Sequence, residues 1–210
     1  MDALEALQQK AEQRDAEAQY SLAREYLSGI HIPQDYELAA YWGYKAAEQG
    51  YADGQKTLGI LYEFGMGLPR DLEKAAYWYH KAAEQGDAEA QLSLGLTYYS
   101  APLEDYQKAV YWIQKAAEQG HSGAQFILGE AYYYEGRGML QDYQQAAYWY
   151  QKAAEQGNAK AQNRMGEMYY HVLGVPKDYK QAANWMEQAM NNGDWDAAAF
   201  WEEHELWKYH

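Results

Sequence analysis

The 210-residue chain has no cysteine, which excludes a disulfide-stapled scaffold, an iron–sulfur cluster and a thiol nucleophile. Positive charge is also short. Seventeen Lys and Arg face 31 Asp and Glu, giving a net charge of −14 and a pI near 4.8. Nucleic-acid backbones and anionic membrane surfaces need concentrated Lys and Arg, so neither is expected as a partner. No apolar run approaches the ~18–20 residues of a membrane span. The first twenty residues carry Asp2, Glu5, Glu12, Arg14 and Asp15 and no apolar signal stretch, so a cytoplasmic location is expected. Aromatic residues are plentiful, with 23 Tyr and 8 Trp. That content separates the chain from disordered acidic sequences, which lack aromatics.

What the chain does have is an internal repeat. AAEQG occurs at Ala46–Gly50, Ala82–Gly86, Ala116–Gly120 and Ala153–Gly157, with degenerate copies ending at Arg14 and Gly193. Successive ends lie 36, 36, 34, 37 and 36 residues apart. From each end to the next Tyr (Tyr26, Tyr62, Tyr98, Tyr132, Tyr169) is always 12 residues. From Asp35, Asp71, Asp105, Asp142 and Asp178 to the following Gly is always 15. All length variation falls between that Tyr and that Asp, at 9, 9, 7, 10 and 9 residues. Two rigid blocks joined by one elastic connection predict a helix–loop–helix unit.

Each block reads as a helix. In Asp142–Gly157 an Asp stands ready to cap the N-terminus, a Gly closes the C-terminus, and good helix formers without Pro lie between. The other block, as in Asp87–Tyr99, opens on another cap residue. It carries small residues at two repeated places: Ala18, Gly54, Ala90, Ala124, Ala161, and then Ala23, Gly59, Gly95, Gly129, Gly166. Gly inside a helix costs roughly 0.5–1 kcal/mol against Ala, so close approach of a neighbouring backbone is expected there. The connections use Gly and Pro, as in Gly65–Pro69. One helix pair cannot bury its apolar face alone, so the pairs must stack. The expected fold is all-α, a right-handed α-solenoid and one continuous domain. Residues 1–14 form a half repeat, whose helix Asp2–Gln13 is capped by Asp2 with Glu5. Repeats follow at 15–50, 51–86, 87–120, 121–157 and 158–193, and a capping helix, from Asp194 to about Trp207, occupies 194–210.

The pattern A-x-Q-x-x-L-G-x-x-Y, G-x-G-x-P-x-D, A-x-x-W-x-x-K-A-A-E-Q-G resembles the Sel-one-like repeat, a relative of tetratricopeptide repeats. Gln55, Leu58, Gly59, Tyr62, Gly65, Gly67, Asp71, Ala75, Trp78, Lys81, Ala82, Ala83 and Gly86 carry it in the second copy. The likeness runs over roughly residues 11–193. The third copy departs from it, its connection Ser100–Glu104 being shorter and free of glycine, and the fifth keeps only Gly174 there. The resemblance implies a non-enzymatic adaptor: a quality-control scaffold, a bacterial regulator, a host-interaction factor, or an immunity protein paired with a secreted toxin. A Cys-rich secreted branch linked to β-lactam hydrolysis does not apply to a chain without Cys.

Catalytic motifs are absent: no phosphate loop, G-x-S-x-G elbow or H-E-x-x-H string occurs. Gly136-Arg137-Gly138 reads as a turn. His31, His80, His121 and His171 fall at different repeat positions and cannot form a ligand row. The C-terminal Glu202-Glu203-His204-Glu205 with His210 reads as a solvated acidic face, with Glu203 and Trp207 on one side of the helix and His204 and Lys208 on another. No enzyme activity, cofactor or metal is expected.

Trp42, Trp78, Trp112, Trp149 and Trp185, and with them Tyr26, Tyr62, Tyr98, Tyr132 and Tyr169, are repeated in every copy and read as core. Function is sought where the copies differ. On the first helix of each pair one variable row follows i, i+4, i+7. It reads Tyr20, Arg24, Leu27; Lys56, Ile60, Glu63; Leu92, Leu96, Tyr99; Phe126, Glu130, Tyr133; Asn163, Glu167, Tyr170. By resemblance, first helices line the concave face, which makes this row the candidate protein-binding surface. Its centre is apolar and aromatic and its flanks polar, the usual arrangement of interface hot spots. The plainer reading is that Leu92 and Leu96 pack against the adjacent first helix. Trp195, Phe200, Trp201, Leu206 and Trp207 are too many aromatic and apolar residues for a solvated tail, and read as a cap, with a docking helix or dimer contact as the alternative. A charge of −14 favours a basic, toxin-like protein partner. The second reading is an adaptor that holds a peptide segment in the groove. A monomer is expected.

Overall fold

A computed structural model of the protein describes residues 3–136 and 139–209. Asp2, Arg137, Gly138 and His210, read above as cap, turn and cluster members, lie outside the described residues. Among the described residues the fold is all-α. The helices are α1 (Ala3–Glu12), α2 (Ala16–Ser28), α3 (Tyr36–Glu48), α4 (Ala52–Phe64), α5 (Leu72–Glu84), α6 (Ala88–Tyr99), α7 (Tyr106–Glu118), α8 (Ser122–Tyr133), α9 (Tyr143–Glu155), α10 (Ala159–His171), α11 (Tyr179–Asn191) and α12 (Trp195–Glu203). They gather into two compact units, Met1–Ala109 and Val110–His210. Within the first, α1 to α6 each pack chiefly on the helix before and the helix after; within the second, α8 to α12 do the same. That is the contact pattern of an α-solenoid.

The capping residues act as the sequence suggested. Asp15, Asp35, Asp71, Asp87, Asp142, Asp178 and Asp194 each accept a backbone N–H of the first turn, an arrangement worth about 1 kcal/mol per helix. Tyr51 makes no such bond before α4. His121 substitutes for the Asp before α8, its Nδ1 accepting from the Ala124 amide at 3.2 Å.

The elastic connection has a simple closure. In every copy the amide of the Asp cap donates to the carbonyl of the repeated Tyr: Asp35 to Tyr26, Asp71 to Tyr62, Asp105 to Tyr98, Asp142 to Tyr132 and Asp178 to Tyr169, at 2.8–3.3 Å. The two constant ends are joined by one hydrogen bond, so the residues between them can change in number without moving either helix. Indels are confined there for that reason.

A buried glutamine repeats through the array. Gln19, Gln55, Gln91, Gln125 and Gln162 are at most 5% exposed. Each donates Nε2 to a carbonyl eight residues back, Ala11, Ala47, Ala83, Ala117 and Ala154, at 2.9–3.3 Å. These carbonyls end the preceding second helix, where each also accepts an amide of the closing turn, from Arg14, Gly50, Gly86, Gly120 and Gly157, at 2.9–3.1 Å. Four of the glutamines also accept from the residue that ends their own second helix: Gln19 from Gln49, Gln55 from Gln85, Gln125 from Gln156 and Gln162 from Asn192, at 2.7–2.9 Å. One side chain thus ties the preceding pair to its own.

The two rows of small residues have different causes. A Cβ on Gly54 would lie 2.7 Å from Ala46 Cβ and 3.0 Å from the Ala47 amide nitrogen, which is the expected helix-to-helix approach. The second row accommodates side chains instead. Gly59 and Gly129 face the rings of Tyr79 and Tyr150, and Gly166 faces Met186, all within 2.8 Å of a would-be Cβ. In the first copy both partners are small, with Gly43 beside Ala23.

The repeated tryptophans are less central than expected. Trp149 is buried, whereas Trp42, Trp78, Trp112 and Trp185 are half-buried. Tyr79 and Tyr150, at 1% and 0% exposure, are the large core residues of their copies.

The C-terminal segment covers α11 with α12 and the short 3-10 turn Leu206–Tyr209. The helix does not continue to Trp207. It ends at Glu203, and Glu205 takes a left-handed φ of 51°. That reversal directs Leu206 into the core at 0% exposure, and Lys208 pairs with Glu205. In repeat register α12 is a sixth first helix, with Asp194 as cap and Ala198 where the ladder glutamine would stand.

Candidate functional site

In the first unit, the first residue of the variable row acts at a joint between copies. Tyr20 meets the ring of Tyr51 at 5.4 Å, and Lys56 pairs with Asp87 at 2.7 Å and Asp53 at 3.2 Å. Tyr51 and Asp87 are the cap residues of the next first helix. Arg24 lies over the Tyr20 ring at 5.8 Å and is exposed. Leu27 and Ile60 are half-buried. Leu92 is buried at 8% exposure while Leu96 is 40% exposed, so the plainer reading fits Leu92 and leaves Leu96 facing solvent. Tyr99 packs edge-on to Tyr106 at 5.2 Å. Glu63 accepts the Tyr79 hydroxyl at 2.6 Å.

In the second unit the row is drawn into one polar and aromatic network. Glu130 accepts the Tyr150 hydroxyl at 2.5 Å and Arg164 Nε at 2.8 Å. Arg164 Nη1 reaches Glu167 at 2.8 Å, and its Nη2 reaches the Tyr134 hydroxyl at 3.2 Å. The same guanidinium lies over the Tyr133 ring at 5.6 Å. Phe126 packs on Tyr150 at 5.8 Å. Asn163 donates to Asp194 at 3.2 Å, again the next cap residue. Tyr170 meets Tyr179, Phe200 and His204. Burial disfavours the charged Arg164, but its bonds to Glu130 and Glu167 outweigh that and raise its pKa.

Arg164, Tyr150 and Tyr134 organise this network and were not singled out in the sequence. Arg164 did leave a signal: Ser21, Thr57, Ser93 and Ile127 occupy its place in the other copies. Among the described residues no group of three histidines or carboxylates could hold a metal ion. His204 turns to the Phe200 ring at 4.2 Å rather than to an acidic partner set. Among the described residues no helix is long and apolar enough to cross a membrane.

Burial, then the hydrogen bond to Glu63 or Glu130, pushes the Tyr79 and Tyr150 hydroxyls well above the ordinary phenol value. A pKa higher in the folded than in the unfolded chain gives stability that is complete below about pH 10 and is lost as pH rises further. In an alkaline titration, part of the phenolate absorbance is therefore expected to appear only as helical circular dichroism is lost. Tyr79→Phe should remove a share of that late fraction. Complete ionisation before any helix is lost would contradict this geometry.

The Sel1 repeat family matches residues 16–51, 52–87, 88–121, 122–158 and 159–194. A protective antigen of uropathogenic Escherichia coli displaying an SLR fold is 41% identical over 97% of this chain, with a TM-score of 0.85. This chain spans 44% of that protein's length. A Sel1 repeat protein of Oxalobacter formigenes is 33% identical over 88% of this chain and 74% of its own, with a TM-score of 0.79. An immunity protein of Pseudomonas aeruginosa is 25% identical over 88% of this chain and 68% of its own, with a TM-score of 0.53. No curated protein matches the chain. Five consecutive matches, and the likeness of these solved structures, make this chain a member of the Sel1 repeat family.

Proposed function

We propose that the protein binds a basic protein partner through the outward residues of its first helices and acts by occluding that partner rather than by catalysis. The observation that carries this reading is the pinning of Glu130 and Glu167 by one guanidinium that lies over the Tyr133 ring. Both carboxylates keep about a quarter of their side-chain surface exposed, 27% and 23%. Two ordered carboxylates against one cation leave a net negative, pre-arranged surface beside Tyr133 and Tyr134, suited to a Lys or Arg of a partner. The overall charge of −14 would speed the encounter with a basic protein. A toxin that acts on nucleic acid has that charge, and the likeness to an immunity protein supports the choice. The exposed Leu96 beside Tyr99 favours the second reading, an adaptor holding an apolar peptide segment.

Affinity capture from native lysate, washed at rising salt, separates the two. The first reading expects one basic protein, released as salt shortens the screening length from about 10 Å at 0.1 M to about 3 Å at 1 M. It also expects loss of capture by Glu130→Gln with Glu167→Gln, with an unchanged circular dichroism spectrum. A partner held through high salt and by that variant, but lost with Leu96→Ala and Tyr99→Ala, would favour the adaptor. An acidic partner would overturn the first reading outright.

A further inference from the structure

Four copies end their second helix on Gln-Gly, at Gln49, Gln85, Gln119 and Gln156, and the fifth ends it on Asn192-Gly193. The exchange removes one methylene and keeps the amide in place. Asn192 Nδ2 donates to Gln162 Oε1 at 2.9 Å, as Gln85 Nε2 does to Gln55 Oε1 at 2.8 Å. It also changes the chemistry open to that amide. Attack of the following backbone nitrogen on an asparagine Cγ closes a five-membered ring. From glutamine the ring would have six members and forms more slowly. A following glycine has no side chain to shield its nitrogen. Asn192 is the one asparagine of the chain that precedes a glycine. It is exposed, and nothing lies within 4 Å of a Cβ built on Gly193.

The folded backbone holds this reaction off. Asn192 has ψ 10°, which eclipses the Gly193 nitrogen with the nitrogen of Asn192 itself. Ring closure needs it turned toward Cβ instead. The Gly193 amide also donates to the Met190 carbonyl at 3.0 Å, and the Asp194 amide to Ala189 at 2.9 Å. Attack therefore waits until this closing turn opens, and exposed turns open locally at a small fraction of the global unfolding free energy.

We propose that Asn192-Gly193 is a site of spontaneous deamidation, which registers openings of the joint between α11 and α12 and makes them permanent. The Gly193 nitrogen gives its proton to solvent base and bonds to Asn192 Cγ. The Cγ–Nδ2 bond breaks, and Nδ2 leaves as ammonia with a proton from water. A water molecule then opens the cyclic imide. Cleavage of the bond from nitrogen to Cγ gives aspartate, and cleavage of the bond to the main-chain carbonyl gives isoaspartate. One water is consumed, one ammonia is released, and nothing is oxidised or reduced. Neither product refills the rung. A carboxylate only accepts, so Gln162 Oε1, on a side chain 2% exposed, loses its donor. The new charge stands at the C-terminal end of α11, the unfavourable end of the helix dipole for an anion, and two residues from Asp194. Isoaspartate also adds a methylene to the backbone between the two helices. What the joint holds is the cover of α11, where Ala197 and Leu206 complete the core cluster around Met186. The site is independent of the first-helix row discussed above.

The test is to age the full chain in mildly alkaline buffer, well below its melting temperature, and to map its peptides by mass spectrometry with aspartate and isoaspartate products separated. Modification is expected first at Asn192, about tenfold or more slower than in the urea-unfolded chain. Asn192→Gln, the residue of the other copies, should abolish it and leave the melting temperature unchanged. Asn192→Asp supplies one product directly. It should melt about 2–4 °C lower and lose hydrogen-exchange protection in α12 before the rest of the chain. Three results would overturn the proposal. One is a folded chain that stays unmodified at Asn192, or reacts first at another asparagine, while the unfolded chain reacts there. Another is an equal rate in both states, which would mean that no opening is registered. The third is an Asn192→Asp variant with unchanged melting and unchanged α12 protection, which would mean that the rung does not hold the joint.

Discussion

Replacing Gly174 with alanine is expected to lower the melting temperature by about 10 °C. The residue sits in the connection between α10 and α11 with φ +71°, and a Cβ there would lie 2.1 Å from the carbonyl oxygen of Tyr143 and 2.8 Å from the Gln144 nitrogen. These atoms are backbone of the first turn of α9 and cannot rotate aside. The left-handed conformation alone costs an L-residue roughly 1–2 kcal/mol. Lifting the connection off α9 adds to that, because Leu173 and Val175 pack on the core cluster around Tyr150 and Met165. A total of about 3–4 kcal/mol places the change in the diagnostic tail of single substitutions. Gly67 has the same relation to α3, its Cβ falling 2.0 Å from the Tyr36 oxygen. The control is Gly157→Ala. Its φ is +84° but nothing lies within 4 Å of a Cβ, so only the conformational part should appear, about 3–6 °C. Equal losses for Gly174→Ala and Gly157→Ala in a thermal scan would show that backbone approach does not matter.

The second large effect is expected from Gln55→Leu, about 2 kcal/mol in urea denaturation. Leucine fills much of the same volume, so packing is nearly preserved. What is lost is the donor to the Ala47 carbonyl, 3.3 Å away, and the acceptor for Gln85. The carbonyl keeps the Gly50 amide at 3.0 Å, so the cost is that of two buried hydrogen bonds, about 1 kcal/mol each. Gln85→Ala should be milder, about 1 kcal/mol, because Gln85 is exposed. Combining the two variants should recover part of the sum. If Gln55→Leu proved no worse than Gln85→Ala, the buried rung would not be holding the copies together.

The architecture was legible because periodicity multiplies weak signals. One Asp before a helix is ambiguous; an Asp 15 residues before a Gly in five copies is not. The same property misled where repetition was equated with burial. Trp42, Trp78, Trp112 and Trp185 recur, yet they are only half-buried, and Trp78 stands edge-on to the exposed Tyr77. Burial is decided by direction from the helix axis, and neighbouring residues point about 100° apart. The helix of the C-terminal segment was read too long because nothing in the letters of Glu205 announces a left-handed turn. The candidate row was legible as variation, but its partners were not. Tyr20, Lys56 and Asn163 reach cap residues about thirty positions ahead, and Arg164 joins Glu130 across 34 residues. Such pairings depend on how one copy stacks on the next.

The glutamine ladder has a bearing on how such an array changes length. A duplicated 36-residue cassette inserted between two copies brings its own glutamine, which finds a helix-end carbonyl behind it and an amide at the end of its own pair. Internal duplication therefore leaves every rung complete. A duplicate of α12 would bring Ala198 instead, whose side chain supplies neither donor nor acceptor. Duplication from within therefore keeps the ladder, whereas a copy with alanine at that place, as in α12, lacks its rung.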